Sequence, residues 1–405
     1  MNEQVRQEIK KILEDNQRVN MFNFIFHNPT RVLFGKGSVN QISGEIPKDA
    51  RVLITYGGDS ARRYGVLEQV KAVLSGYDIT EFGGIEPNPE YETLLQGVSI
   101  ARERKIDFLL AIGGGSVIDG TKFMSAAIPF NLDPYLLLDN AGSAITKSLP
   151  VGAVTTLPAS GSEMNNRAII TRKAVMMKRG IMNPFLFPQF AVLDPTFTYT
   201  LPARQIGNGV VDTFVHVLEQ YMTYPVSGHV QDRLAEGLLL LLLEEGPKAL
   251  AEPENYDVRA NLMWAATLGL NGLIGAGVPQ DWSAHRLGYE LTVLYGMDHA
   301  RTLAVLVPAM LKVRARGKRQ KLLQYAERVW GIDSGNELSR MDAAIDKTRL
   351  FFESMGLPTS LSGYGVVNVD IEQVMELLAA HGMVNMGENR DVTLDMMREI
   401  LRRCS

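Results

Sequence analysis

The segment Ile106-Asp-Phe-Leu-Leu-Ala-Ile-Gly-Gly-Gly-Ser116-Val-Ile-Asp-Gly120 decides the fold of the N-terminal half. Its short apolar run, lacking polar alternation, reads as a strand buried on both faces. Three glycines and a serine then open a helix that runs through Met124. Glycine lets the backbone approach a phosphate closely, and the free N–H groups of a helix start offer donors and the positive end of the helix dipole. One such turn is served equally well by a tight strand–helix corner that holds no ligand.

The pattern repeats on either side. Upstream, the strand Arg51–Tyr56 runs into Gly57-Gly58-Asp59-Ser60 and a helix to about Leu74, followed by the loop Glu86-Pro-Asn-Pro89 and a helix to Arg104. Downstream, a strand over Val151–Val154 leads into Thr155-Thr-Leu-Pro-Ala-Ser-Gly-Ser-Glu163. Three successive strand–turn units imply an α/β dinucleotide-binding domain. The G-x-G-x-x-G fingerprint and the P-loop lysine pattern are both absent, so a standard Rossmann dehydrogenase is disfavoured. Residues 22–35, with Phe22, Phe24 and Phe26 alternating before Val32-Leu-Phe34, read as a further strand or hairpin.

After Leu201-Pro202 the strand signal fades. Helices are expected at about 206–223, 228–244, 256–274, 282–295, 299–315, 319–330, 338–355, 370–381 and 393–402. The first carries Asp212 and His216 four residues apart, on one helix face and one turn from each other. His285 and His299 follow where two more helices begin. One carboxylate and three imidazoles make a ligand set that suits Zn(II) or Fe(II) and suits Ca(II) or Mg(II) poorly. These residues belong to the helical half and the glycine turns to the other, so the cleft between them is the expected active site. A dinucleotide facing a Lewis-acidic ion implies hydride transfer between a carbonyl and an alcohol.

Composition excludes other classes. At 405 residues two domains are the prior, and we divide the chain into an extension (1–20), an α/β domain (21–201) and a helical domain (202–405). A net charge of -4 argues against nucleic acid. The single cysteine, Cys404, leaves no intrachain disulfide and fits a reducing compartment. Residues 1–20 are charged and helix-like, with Val5, Ile9, Ile12 and Leu13 on one stripe, and lack the unbroken apolar run of a signal peptide. The six leucines Leu238–Leu243 are too few for a membrane span, which needs about 20 apolar residues. The cytoplasm is the expected location.

Gly113–Gly120, Thr156–Glu163, Asp212-x-x-x-His216, His285 and Gly296-Met-Asp-His299 together resemble the iron-containing (group III) alcohol dehydrogenases over about residues 21–402. Thr55–Gly58, Gly83–Pro89 and Gly275–Trp282 look closest to the NADPH-dependent aldehyde reductase and butanol dehydrogenase branch. The resemblance implies a dehydroquinate synthase-like fold, with an α/β domain and an all-α metal-binding domain. It implies metal ligands at Asp212, His216, His285 and His299. Cofactor contacts would fall on Gly57, Gly58, Asp59, Ser60, Gly113, Gly114, Gly115, Ser116, Asp119, Thr156, Ser160, Ser162 and Lys178. Asp119 and Asn165 would line the nicotinamide and substrate end, and a homodimer, an aldehyde or alcohol substrate and no membrane partner are implied.

The chain departs from that pattern in two places. Tyr289, and likewise Tyr295, stand where relatives carry histidines, so a proton-relay imidazole is missing and catalysis rests on metal and cofactor. Asp59 replaces a glycine of the close branch. Its carboxylate would repel the 2′-phosphate of NADP or accept a ribose hydroxyl of NAD; NADP(H) is favoured, with NAD(H) open. His27, His229 and His381 are expected to be structural or exposed. Two alternatives remain: a dehydroquinate-synthase-type lyase, whose polyanionic substrate would need a Lys/Arg cluster not legible near the metal ligands, and a degenerate non-catalytic cofactor-binding protein.

Overall fold

Six parallel strands form where the sequence carries its short apolar runs. They are Arg31–Phe34 (β1), Arg51–Tyr56 (β2), Asp78–Phe82 (β3), Phe108–Gly114 (β4), Val151–Leu157 (β5) and Phe190–Leu193 (β8), in the spatial order β1-β8-β5-β4-β2-β3. The computed structural model of the protein describes residues 20–404, so the helix expected over residues 1–20 lies outside the described residues, apart from Asn20. Arg167–Arg172 (β6) and Met177–Met182 (β7) make a separate antiparallel hairpin.

Both faces of the sheet are covered, which explains the unbroken apolar runs. Phe108, Leu110 and Ile112 pack with Val52, Ile54 and the helix Val66–Val73, while Leu109 and Ala111 pack on the opposite side with residues of the helices Tyr91–Glu103 and Gly115–Ala127. We label the helices Ser60–Arg63 (α1), Val66–Val73 (α2), Tyr91–Glu103 (α3), Gly115–Ala127 (α4) and Tyr135–Asp139 (α5). Strand order reverses at β2, which has β3 on one side and β4 on the other. Such a reversal opens a crevice beyond the carboxyl ends of the two strands, and there lie Gly57-Gly58 after β2 and Gly114-Gly115 after β4.

The strand expected across residues 22–35 is present only at Arg31–Phe34. Phe22–Phe26 instead lie along the helical half, where the Phe22 N–H donates to the Gly277 carbonyl at 2.8 Å. No sheet edge faces that stretch, so the alternating aromatics cover a glycine turn rather than a strand neighbour. Asn28 then ties the segment down, donating to the Met164 and Asn271 carbonyls.

The C-terminal half is built from Ala203–Tyr221 (α6), His229–Ala251 (α7), Tyr256–Gly269 (α8), Ser283–Tyr295 (α9), His299–Arg314 (α10), Arg319–Arg328 (α11), Glu337–Ser354 (α12), Ile371–Ala380 (α13) and Leu394–Arg403 (α14). It is not wholly helical: Asn385–Met386 (β9) and Val392–Thr393 (β10) pair as a two-residue antiparallel ribbon. Helix α7 outruns its expected end at 244, passing through Gly246 and Pro247, because Gly246 packs against Val210 and Met355. Tertiary packing overrides local propensity there. Every residue from Ile206 to Tyr221 is buried, making α6 the axis of the helical core. Among the described residues no helix is long and apolar enough to cross a membrane.

Candidate active site

Helix α6 is amphipathic in an unusual sense, since its polar residues Asp212, His216, Glu219 and Gln220 are buried with the apolar ones. Buried polar groups need partners: Gln220 donates to the His216 and Gly269 carbonyls, while His216 and Glu219 face the start of α9. There Asp281 accepts from the Ser283 N–H and hydroxyl and pairs with Arg314 and Lys318, fixing a turn in which Trp282 takes a left-handed φ of 62°. That turn sets His285 in the first turn of α9. Gly296, with φ of 66°, ends α9 and lets the chain reverse so that His299 opens α10.

The ligand atoms of Asp212, His216, His285 and His299 all lie within 4.8 Å of one another. The Nε2 atoms of His216 and His299 are each 3.7 Å from Asp212 Oδ1. Ligands of a tetrahedral ion with bonds near 2.1 Å sit roughly 3.4 Å apart, so the set fits a single ion. Asp212 Oδ1 and His285 Nε2 are buried without a hydrogen-bond partner, a costly state unless a cation completes it. Burial lowers the pKa of His216 and of His285 to about 4 and that of His299 well below the usual value, which keeps all three imidazoles neutral with lone pairs to give.

Glu219, within the same α6 run, went unnoticed in the sequence. One carboxylate oxygen accepts from the Ala284 N–H at 2.8 Å and the other meets His285 Nδ1. Burial and Asp281 push this carboxyl up, while the Ala284 N–H and Lys318 pull it down. The net shift without an ion is upward, and a cation beyond the imidazole would oppose it by favouring the charged form. Its position three residues after His216 was the available signal, but only the fold shows that it faces His285.

The ligands line a cleft of about 870 Å³ shared with Gly57, Gly58, Gly114, Gly115, Ser116, Asp119, Ser160, Ser162, Asn165, Lys178 and Tyr289. Four residues expected at the cofactor are not on its wall. Asp59 and Ser60 are exposed at the start of α1, Thr156 lies within β5, and Gly113 is packed so closely on Val117 that a Cβ would fall 2.6 Å from it. Gly115 makes room for Ser160, whose hydroxyl would lie 2.2 Å from an added Cβ, whereas Gly58 faces open space.

Asp119 and Asn165 are tightly engaged. Asp119 accepts from the Ser162 hydroxyl and from the Ile169 N–H at 2.9 Å. Asn165 donates to the Gly161 carbonyl and accepts from Lys122 Nζ and the Arg167 N–H. Lys122 is wholly buried on oxygens of Asn165 and Arg167, and burial lowers its pKa to about 8. Lys178, also lowered to about 8 by burial, donates to Asn88 and lies 5.0 Å from the centre of the Tyr289 ring. Burial raises the Tyr289 phenol, so it stays protonated at neutral pH.

His381 is half-buried on the cleft lining, its Nδ1 2.8 Å from Oε1 of buried Glu290, which fits the structural half of what was expected of it. One expectation is corrected. The missing Lys/Arg cluster is present, because β6, β7 and α9 bring Arg167, Lys178, Arg179 and Arg286 to the same wall from distant parts of the sequence.

A family model described as iron-containing alcohol dehydrogenase matches residues 29–195, and one for the C-terminal part of the Fe-containing alcohol dehydrogenase family matches 207–405. The chain is 58% identical to the NADPH-dependent aldehyde reductase YqhD of Escherichia coli K12, over 94% of this chain and 99% of that protein. It is 36% identical to the NADH-dependent butanol dehydrogenase A of Clostridium acetobutylicum, over 95% and 100%. The crystal structure of E. coli YqhD superposes with a TM-score of 0.95 at 56% identity, covering 96% of this chain and all of that one. That of a Thermotoga maritima NADH-dependent butanol dehydrogenase A gives 0.91 at 30%, with 96% and 100% covered.

Proposed function

The chain belongs to the iron-containing alcohol dehydrogenase family and is an oxidoreductase of its aldehyde reductase and alcohol dehydrogenase type, and from that premise we propose how its residues divide the work. Asp212, His216, His285 and His299 hold one divalent ion, Fe(II) or Zn(II). The glycine turns after β2 and β4, with Ser116, Ser160 and Ser162, hold NADPH. The observation that carries this reading is that the four ligand atoms converge on the wall of the same cleft as the glycine turns.

When bound, the ion supplies Lewis acidity to a carbonyl oxygen and the nicotinamide supplies the hydride. The chain's own groups do the rest. Glu219 orients His285, and the Asp119–Ser162 and Lys122–Asn165 contacts hold the 161–169 segment against α4. Tyr289, with its phenol kept protonated, shapes the wall near His299, its ring centroid 6.0 Å from that imidazole. His381, paired with buried Glu290, shapes another part of the cleft lining.

We further infer a homodimer in the cytoplasm. Met21, Phe22, Phe24, Ile25 and Phe26 form an exposed apolar strip just before edge strand β1, a surface suited to a second copy.

Turnover of NADPH and NADH against short aldehydes, with metal analysis of the same sample, tests the reading. Asp212→Ala and His285→Ala should lose metal and rate together. Stoichiometric metal retained in both variants would overturn the ligand assignment.

A further inference from the structure

Arg167 opens β6 and turns its guanidinium into the cleft, its Cζ 5.4 Å from the centre of the Trp282 ring. The Trp282 ring lies edge-on to His285 at 5.1 Å and 6.2 Å from His216. One indole therefore separates this cation from the ligand cluster. Burial lowers the Arg167 pKa, with Tyr289 opposing the shift and nearby Arg286 adding to it.

No carboxylate among the described residues lies within ion-pair distance of Arg167 or of Arg286, although both line the cleft. The other cations nearby are accounted for: Lys178 donates to Asn88, Arg179 pairs with Asp139, and Lys122 sits on carbonyl oxygens. Arg314, buried in the helical half, pairs with Asp281, Glu388 and Asp391, whereas buried Arg259 has only the Pro253 carbonyl and faces no ligand cluster. A half-buried guanidinium with no carboxylate partner is costly. Trp282 gives the cation a π face but no hydrogen-bond acceptor, so the guanidinium N–H groups are left for an anion, which a planar carboxylate can meet in two-point contact.

Resting on the aldehyde-reductase reading above, we propose that the cleft selects aldehydes that carry an anionic group, such as a carboxylate, a few carbons from the carbonyl, and that Arg167 reads that charge with Arg286 behind it. The cofactor phosphates do not fill this role. They belong at the glycine turns after β2 and β4, whereas Arg167 lies beside Trp282 and the ligand cluster. The reaction is unchanged: hydride passes from NADPH to the carbonyl carbon, a proton goes to its oxygen, and an alcohol and NADP⁺ result.

The test uses metal-loaded enzyme with glyoxylate, 4-oxobutanoate and 5-oxopentanoate against neutral aldehydes of similar length, acetaldehyde, pentanal and hexanal. We expect kcat/KM for at least one oxo-acid to exceed that of its neutral counterpart by at least about tenfold, the scale of one charged contact. Arg167→Met should lower oxo-acid turnover at least about tenfold more than neutral turnover, through KM for the aldehyde, with Arg167→Lys between the two. Succinate should inhibit wild-type reduction of pentanal competitively with aldehyde, less so as salt rises; this arm needs no variant to fold. The proposal is overturned if no oxo-acid is preferred, if Arg167→Met lowers both series alike, if the change appears in KM for NADPH, or if succinate does not compete. Reduction of neutral aldehydes without a preference defeats only this inference. Failure to reduce either series defeats the aldehyde-reductase reading beneath it.

Discussion

Replacing Glu219 with glutamine should weaken ion binding ten- to a hundredfold while leaving the fold intact. In the native site both carboxylate oxygens accept, one from the Ala284 N–H and the other from His285 Nδ1. With its proton on Nδ1, the imidazole keeps a lone pair on Nε2, the atom aimed at the ligand cluster. A glutamine has one acceptor and one donor end. If its carbonyl stays on Ala284, its NH₂ faces Nδ1 and drives the ring proton to Nε2, abolishing the ligand atom. If it flips, its NH₂ opposes the Ala284 N–H. Removing such an orienting partner typically costs ten- to a hundredfold in metal affinity, about 1.4–2.8 kcal/mol. The assay is competition between apo-protein and a chromophoric chelator for Zn(II), with thermal unfolding of the apo-protein as a control for folding. Wild-type affinity in Glu219→Gln would refute the reasoning, since neither orientation of the amide can reproduce two acceptors.

Four further outcomes are expected. His216 and His285 have pKa values near 4 in the folded apo-protein against about 6.5 unfolded, so below pH 6.5 the unfolded chain binds more protons. Stability is full above that point and is lost as pH falls toward 4; a melting temperature of chelator-treated protein that stays flat between pH 6.5 and 4.5 would contradict this. Arg314→Met strands buried Asp281 and Glu388 and should cost about 3–5 kcal/mol, read from denaturant midpoints; a loss under about 1 kcal/mol would show that Lys318 suffices for both. Asp59→Gly should raise the NADPH-to-NADH preference by only about threefold, because Asp59 is exposed and off the cleft wall; a tenfold change would mean it turns toward the ribose. Tyr289→His should add a titration near neutral pH to the single-turnover hydride step if proton delivery limits it, and a profile identical to that of Tyr289→Phe would assign the residue to the wall alone.

The layers of the fold were legible because each rests on a local signal. Apolar runs ending in glycine turns mark β2 and β4, and caps and breaks mark the helices. The Asp212–His216 pair was legible for the same reason, since one helical turn fixes both side chains. What escaped depends on long-range packing. Phe22–Phe26 carry a strand's alternation but meet no sheet edge, and Pro247 reads as a helix stop until Gly246 is seen against Met355. Glu290 and His381 pair across 91 positions, and Arg167 meets Trp282 only once β6 is folded beside α9. Thr156 and Gly113 belonged to motifs that point at the cofactor. The motif fixes the turn, while the register of β5 on β4 and the packing of Val117 decide which residues of that turn reach the cleft.

The two halves are bound where chemistry requires it. Gly209 brings α6 so close to the 157–163 segment that a Cβ would lie 2.5 Å from the Pro158 carbonyl. Thr213, one residue after Asp212, donates to the Ala159 carbonyl at 3.2 Å, and Thr267 of α8 donates to buried Glu163 at 2.6 Å. The segment that presents Ser160 and Ser162 is thus fastened to the helix that presents Asp212 and His216. Hydride transfer demands that donor and acceptor be held within a few tenths of an ångström of a productive distance. With a cofactor and an ion bound as proposed, that distance would be set by a helix–loop contact with no flexible linker in it. A hinge between the halves would have to break this contact, and the β6 side of the cleft is fastened as well, through Asp119 to the Ile169 N–H and Lys122 to the Arg167 carbonyl.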